Sequence, residues 1–120
     1  MIEFMDESTG KFLGIRASGT LSDSDYKGVL IPKLEELFDI HGKLDVLLYL
    51  DDEFEGWGAG AARDDASFGM RHRADFEKLA VVGGPGWVQK GLKAFAFLMK
   101  GEIRTYPADK LEAAWEWVAG

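Results

Sequence analysis

Four acidic side chains fall within one short stretch, Asp51, Asp52, Glu53 and Glu55. Hard cations take several oxygen ligands, and four carboxylates could supply them. The spacing is not that of a calcium loop. The other reading is a solvated stretch whose acids favour the positive end of the helix that follows. Arg71-His72-Arg73 is the second constellation. Guanidinium forks bind phosphate or carboxylate through paired hydrogen bonds. The same cations also suit the negative end of a helix, and Asp75 and Glu77 stand close by to neutralise them. The third is Gly83-Gly84-Pro85-Gly86 ahead of a helix, where free amides attract anions. Its spacing matches neither a phosphate-binding loop nor a dinucleotide fingerprint.

Nucleophilic chemistry has little to work with. The histidines are His41 and His72, there is no cysteine, and no Gly-x-Ser-x-Gly elbow is present. Thiolate metal sites and disulfides are excluded outright. No catalytic residue, metal ligand or cofactor is assigned on these grounds.

The chain of 120 residues has the length of one domain, residues 1–120. Hydrophobic residues make up 47%, enough to build a core. The net charge is −7, which argues against general nucleic-acid binding. That charge is uneven. Residues 1–62 carry a net −8, residues 63–104 a net +3, and residues 105–120 a net −2. The N-terminus begins with acids rather than a basic, apolar leader, and no apolar run approaches a membrane span. A cytoplasmic location and no transmembrane segment are the expectations.

Hydrophobic patterning predicts the elements that must carry these residues. Residues 2–5 and 12–18 read as an antiparallel hairpin, with Leu13, Ile15 and Ala17 on the buried face. Ser22 caps a helix whose core stripe is Tyr26, Leu30, Leu34, Leu37 and Phe38. Pro32 predicts a kink or a restart, and His41-Gly42 an end. Residues 44–50 read as a central strand buried on both faces, followed by an acidic loop over 51–57. A second helix is expected from about Gly58 to His72, and a strand over 79–82. A third helix follows from about Trp87 to Lys100, then an edge strand over 102–106. The last helix is capped by Asp109. The order β-β-α-β-α-β-α-β-α predicts an α/β fold with a mainly parallel sheet and right-handed crossovers.

Several phrases together carry a family resemblance. They are Tyr26 with Leu30-Ile31-Pro32-Lys33-Leu34-Glu35, Phe54-Glu55-Gly56-Trp57, Phe68-Gly69-Met70-Arg71-His72-Arg73, Asp75-Phe76-Glu77 and Ala80-Val81-Val82-Gly83. With Gly42-Lys43 and the closing Glu112-Ala113-Ala114-Trp115, the chain resembles the SpoIIAA-like family of bacterial proteins, also described as a STAS/Sec14-type domain. The resemblance implies a β-α superhelical sandwich, with four helices on a sheet of four or five strands and an antiparallel N-terminal strand. The better-known anti-sigma-factor antagonists of this fold are switched by phosphorylation where the central strand's loop enters the next helix. Residues 51–60 hold no Ser or Thr, so the expected function has no phosphoswitch there. Sec14-type relatives enclose lipids, and a sandwich of 120 residues is expected to leave little room for such a cavity.

The third helix supplies the leading functional expectation. Beyond the stripe of Val88, Leu92, Phe95 and Met99, it carries Trp87, Phe97 and Leu98, flanked by lysines. A patch of that kind suits a protein partner, a membrane surface or a second copy of the chain as a homodimer. The expectation is a non-enzymatic binding or regulatory domain acting through protein contacts. The alternative is a module for a lipid or small anionic ligand, near Trp57 and the Arg71–Arg73 cluster. The candidate binding residues are therefore Trp57, Arg71, His72, Arg73, Trp87, Phe97 and Leu98.

Overall fold

The computed structural model describes residues 1–96 and 99–120. Five strands form one sheet in the sequential order β1-β2-β3-β4-β5. They are β1 (Ile2–Phe4), β2 (Phe12–Leu21), β3 (Leu44–Trp57), β4 (Phe76–Gly83) and β5 (Glu102–Tyr106). β1 pairs antiparallel with β2, and all other pairings are parallel. The helices are α1 (Asp23–Asp25), a π-helical turn (Tyr26–Leu30) and α2 (Ile31–His41) in continuous succession, then α3 (Ala59–Arg71), α4 (Gly86–Ala96) and α5 (Leu111–Ala119).

Sequential parallel strands decide where the helices go. Crossovers of one hand, always stepping the same way along a sheet, land on the same face. Leu34 and Phe38 of α2, Phe68 of α3 and Val88 of α4 accordingly pack in one core with Leu13, Ile15, Val46 and Val81. The opposite face falls to the last helix. Ala114 and Val118 of α5 cover Phe12, Leu47, Ala80 and Val82 there. β2 is therefore buried on both faces, where sequence patterning placed only Leu13, Ile15 and Ala17 inside. Phe12 meets the Trp115 ring edge-on at 4.6 Å. Gly14 makes room for that indole, since a Cβ there would lie 2.5 Å from it.

The first helix starts as expected. Ser22 Oγ accepts from the Asp25 amide at 3.1 Å, and the Asp25 carboxylate accepts from the Ser22 amide at 2.9 Å. This reciprocal pair satisfies two otherwise free donors. Pro32 stands in the first turn of α2, where its missing N–H is no loss. The turn before it is widened to π geometry, with the Ile31 amide bonded to the Tyr26 carbonyl. The last helix is entered differently from the expected Asp109 cap. A 3-10 turn over Ala108–Lys110 leads into it without a side-chain cap. The described part of α4 ends at Ala96, short of the expected Lys100.

The acidic stretch is strand, not loop. β3 continues to Trp57 because the end of β2 stays beside it, pairing Gly19 with Phe54 and Leu21 with Trp57. Register shifts between Ala17 and Thr20 leave extra β3 residues there, and Asp51 turns back into the sheet. Asp51 Oδ2 accepts from Arg16 Nε at 2.9 Å and from the Ser18 hydroxyl. Its Oδ1 accepts from the Glu53 amide at 3.0 Å. Burial alone would push this carboxyl up. The bonds from Ser18, Arg16 and the Glu53 amide outweigh that and hold it below the usual carboxylate range.

Asp51→Asn is expected to destabilise the fold at neutral pH by about 1–3 kcal/mol, the range for buried hydrogen bonds to a charged group. The folded carboxyl titrates below its unfolded value. Its contribution is therefore complete above the unfolded value of ~3.9 and is lost as pH falls through the folded one. Urea unfolding of both proteins across that range checks this, with the difference between them shrinking in acid.

Candidate functional site

The three-helix face does not close completely over the sheet. A cavity of about 340 Å³, open to solvent on one side, lies between β2, β3 and β4 below and the helices above. The cause is side-chain size. The α3 residues that line the cavity are Ala62, Asp65, Ala66, Phe68 and Gly69, of which Ala62, Ala66 and Gly69 are small. Gly91 of α4 adds a further gap. Leu48 shows the effect from below. It lies on the central strand yet keeps accessible surface, because the cavity sits over it.

Its opening separates this space from a packing defect, since Ala62, Asp65 and Ala66 on its lining are exposed. The volume also falls within the ~300–1,000 Å³ of small-molecule pockets. Such a space is filled by water or by a ligand.

One polar chain enters the apolar lining. Trp57 Nε1 donates to the Tyr26 hydroxyl at 2.7 Å, and that hydroxyl donates to Asp65 Oδ1 at 2.8 Å. All three residues line the cavity. The π-helical turn brings Tyr26 inward, where only 3% of it is accessible. Asp23 of α1 and Asp64 of α3 meet nearby, and the interaction of their carboxyls pushes Asp64 up and holds Asp23 down.

Asp65 is the unusual member. It is exposed at the open side of the cavity, as are Ala62 and Ala66 beside it. Burial pushes its carboxyl up, and the bond from Tyr26 offsets only part of this. The Tyr26 phenol is likewise driven far above its ordinary value, by burial first and then by Asp65. Among the described residues, no Lys, Arg or His side chain forms an ion pair with Asp65.

The residues singled out from sequence separate into groups. Trp57 closes β3, half-buried, and Trp87 opens α4 with 56% of its surface accessible. Their rings lie 5.8 Å apart at 68°, and both line the cavity. Arg71, His72 and Arg73 are not among its lining residues. Arg71 lies over the Phe68 ring at 5.7 Å. His72 stacks on Phe38 at 4.8 Å, with Nδ1 2.8 Å from Asp75 Oδ2. Arg73 is exposed. Phe97 and Leu98 lie outside the described residues. The acids after Leu50 do not converge. Asp51 is committed to Arg16 and Ser18, while Asp52, Glu53 and Glu55 are exposed.

The glycine-rich turn has a packing role. Gly83 and Gly84 both have left-handed φ values, 80° and 82°. A Cβ on Gly83 would lie 2.5 Å from the Leu50 carbonyl oxygen, and one on Gly84 would lie 2.6 Å from Leu50 Cδ1. Only glycine turns the chain there.

Sequence reasoning assigned Tyr26 to the core and passed over Asp65. A signal for Asp65 was present. It is a lone acid on a small-residue face that includes Ala62, Ala66 and Gly69.

Comparison with known proteins places the architecture. A family model described as SpoIIAA-like matches residues 12–119. The fold is also similar to the crystal structure of an uncharacterized DUF3478-family protein with a SpoIIAA-like fold from Shewanella loihica PV-4. The TM-score is 0.75 and the identity 24%, over 98% of this chain and 93% of that one. No curated protein matches the chain.

Asp65→Asn keeps an acceptor for Tyr26 and removes the charge. It is expected to leave stability unchanged in acid and raise it at neutral pH. The folded carboxyl titrates above its unfolded value, so its penalty is absent below ~3.9 and grows as pH rises through the folded value. Thermal unfolding of both proteins across this range tests the sign.

Proposed function

Since this chain belongs to the SpoIIAA-like family, we propose that it is a non-enzymatic binding domain that holds a small ligand with an apolar body in the cavity between sheet and helices. The observation that carries the reading is the cavity itself, roofed by helices with small inner residues and floored by Leu48 and Leu79. Apolar surface of this kind gains from contact with an apolar partner at ~25 cal/mol per Å² removed from water.

The lining supports binding over catalysis. Tyr26 and Asp65 are its titratable members among the described residues. Among the described residues neither histidine borders it, and its one hydroxyl, Tyr26, is 3% accessible and held between Trp57 and Asp65. The same lining favours the lipid-like alternative read from sequence over the anionic one. The charged group facing the space is a carboxyl, which repels anions. The protein-contact reading rested most heavily on Phe97 and Leu98, and Trp87 is its described member. Trp87 faces both solvent and the cavity, so a bound ligand would alter the surface offered to a partner. No helix among the described residues is long and apolar enough to cross a membrane.

The fluorescent apolar dye phenylnaphthylamine tests the reading, together with native mass spectrometry of freshly purified protein. The dye is expected to bind with one-to-one stoichiometry. Gly91→Phe is expected to weaken it at least about tenfold, equivalent to ~1.4 kcal/mol. The fold should persist, because a Cβ at Gly91 meets nothing within 4 Å. Absence of dye binding, or equally tight binding to the filled variant, would sink the proposal.

A further inference from the structure

We propose that the polar end of the cavity is a site for an alkylated ammonium group, so that the ligand is a single-chain cationic amphiphile. The inference rests on the cavity-binding reading above and adds the chemistry of the ligand's head.

Hydrogen-bond direction is the first argument. An indole N–H can only donate, so the Tyr26 oxygen accepts from Trp57. The phenol's one proton then goes to Asp65 Oδ1. Both donors at this end are consumed by the protein. What remains for a ligand is acceptor capacity, notably Asp65 Oδ2, which has no hydrogen-bond partner among the described residues. A carboxylate, phosphate or carbonyl head would find no donor here. An ammonium head would find a carboxylate.

Charge is the second argument. Asp65 faces an otherwise apolar lining and forms no ion pair with a protein cation among the described residues. Its free oxygen is open to a cation that a ligand brings.

Aromatic surface is the third. Trp57 and Trp87 meet at 5.8 Å and 68°, and Tyr26 joins them on the cavity lining. Ring faces attract cations, and groups of aromatic rings recognise quaternary ammonium heads. The two indoles and the carboxylate therefore offer complementary surface to N-methyl groups and positive charge together, while Tyr26, 3% accessible, holds the carboxylate in place. The cavity volume of about 340 Å³ suits one aliphatic chain rather than two.

Calorimetric titration with decyltrimethylammonium, decanol and decanoate, each below its micelle-forming concentration, tests the assignment. The ammonium compound is expected to bind one-to-one and about tenfold or more tighter than decanol, with decanoate weakest. The stoichiometry matters because a chain of net charge −7 attracts cations over its whole surface. Asp65→Asn should abolish the ammonium advantage and retain decanol binding, which also reports that the cavity is intact. Trp87→Leu is the second variant. It should weaken the ammonium compound several-fold and leave decanol nearly unchanged. Equal binding of ammonium and alcohol by the native protein would overturn the head-group assignment and leave the cavity reading standing. So would an ammonium advantage that survives both substitutions. If none of the three compounds binds, both proposals fall.

Discussion

A carboxyl bordering an apolar cavity is the constraint around which this site is arranged. Asp65 faces that lining, desolvation raises its pKa, and a single phenol partly offsets this. That phenol must sit within hydrogen-bond reach, so Tyr26 must point inward from the helix opposite. The π-helical turn just before Pro32 achieves this, and Trp57 at the far end of β3 fixes the hydroxyl from its other side. Three residues distant in sequence are thereby held by three different elements. Their geometry depends on α1 and α3 remaining adjacent, where Asp23 and Asp64 meet. Gly60 permits that approach, since a Cβ there would lie 3.0 Å from the Asp23 side chain.

The sheet topology explains why there is space to hold such a group. Sequential parallel strands commit three crossovers to one face and leave the other to a single terminal helix. The α5 face is tightly filled, to the point that Gly14 admits no side chain beneath Trp115. The other face receives longer helices, one of which, α3, turns Ala62, Ala66 and Gly69 toward the sheet. Small side chains on α3 keep the helix from filling the volume above Leu48 and Leu79. The two faces of one sheet thus divide the work. One supplies stability through packing, and the other accepts looser packing and a charge bordering the cavity. Proteins tolerate such local costs where binding benefits from them.

Polar groups that look alike in the sequence have separate parts in the structure. Asp51 is buried and Asp65 borders the open cavity, and their carboxyls shift in opposite directions. Asp51 accepts from Arg16, Ser18 and the Glu53 amide, so its charged form is stabilised. Asp65 accepts from one phenol and faces an apolar lining. The basic residues near the end of α3 divide similarly. His72 belongs to an aromatic stack with Phe38 and Phe68, and Arg71 covers the Phe68 ring. Neither reaches the cavity. Gly69 does line it, but helix faces turn by roughly 100° per residue, so Arg71 faces elsewhere.

The sequence by itself determined the element order, the antiparallel first strand, the Ser22 cap, the accommodation of Pro32 and the family. These follow from local rules: apolar spacing, capping chemistry and the conformational limits of proline and glycine. It also carried the small-residue face of α3, legible as Ala62, Ala66 and Gly69 around one acid. Only the tertiary structure decided that the acidic stretch continues β3, because that depends on β2 running far enough to pair with it. Only the tertiary structure brought Tyr26, Trp57 and Asp65 together, separated by 31 and 39 positions along the chain from Tyr26. A cavity has no local signature. It is the volume left over when helices of given width are held at a distance set by residues elsewhere, and no single segment encodes that distance.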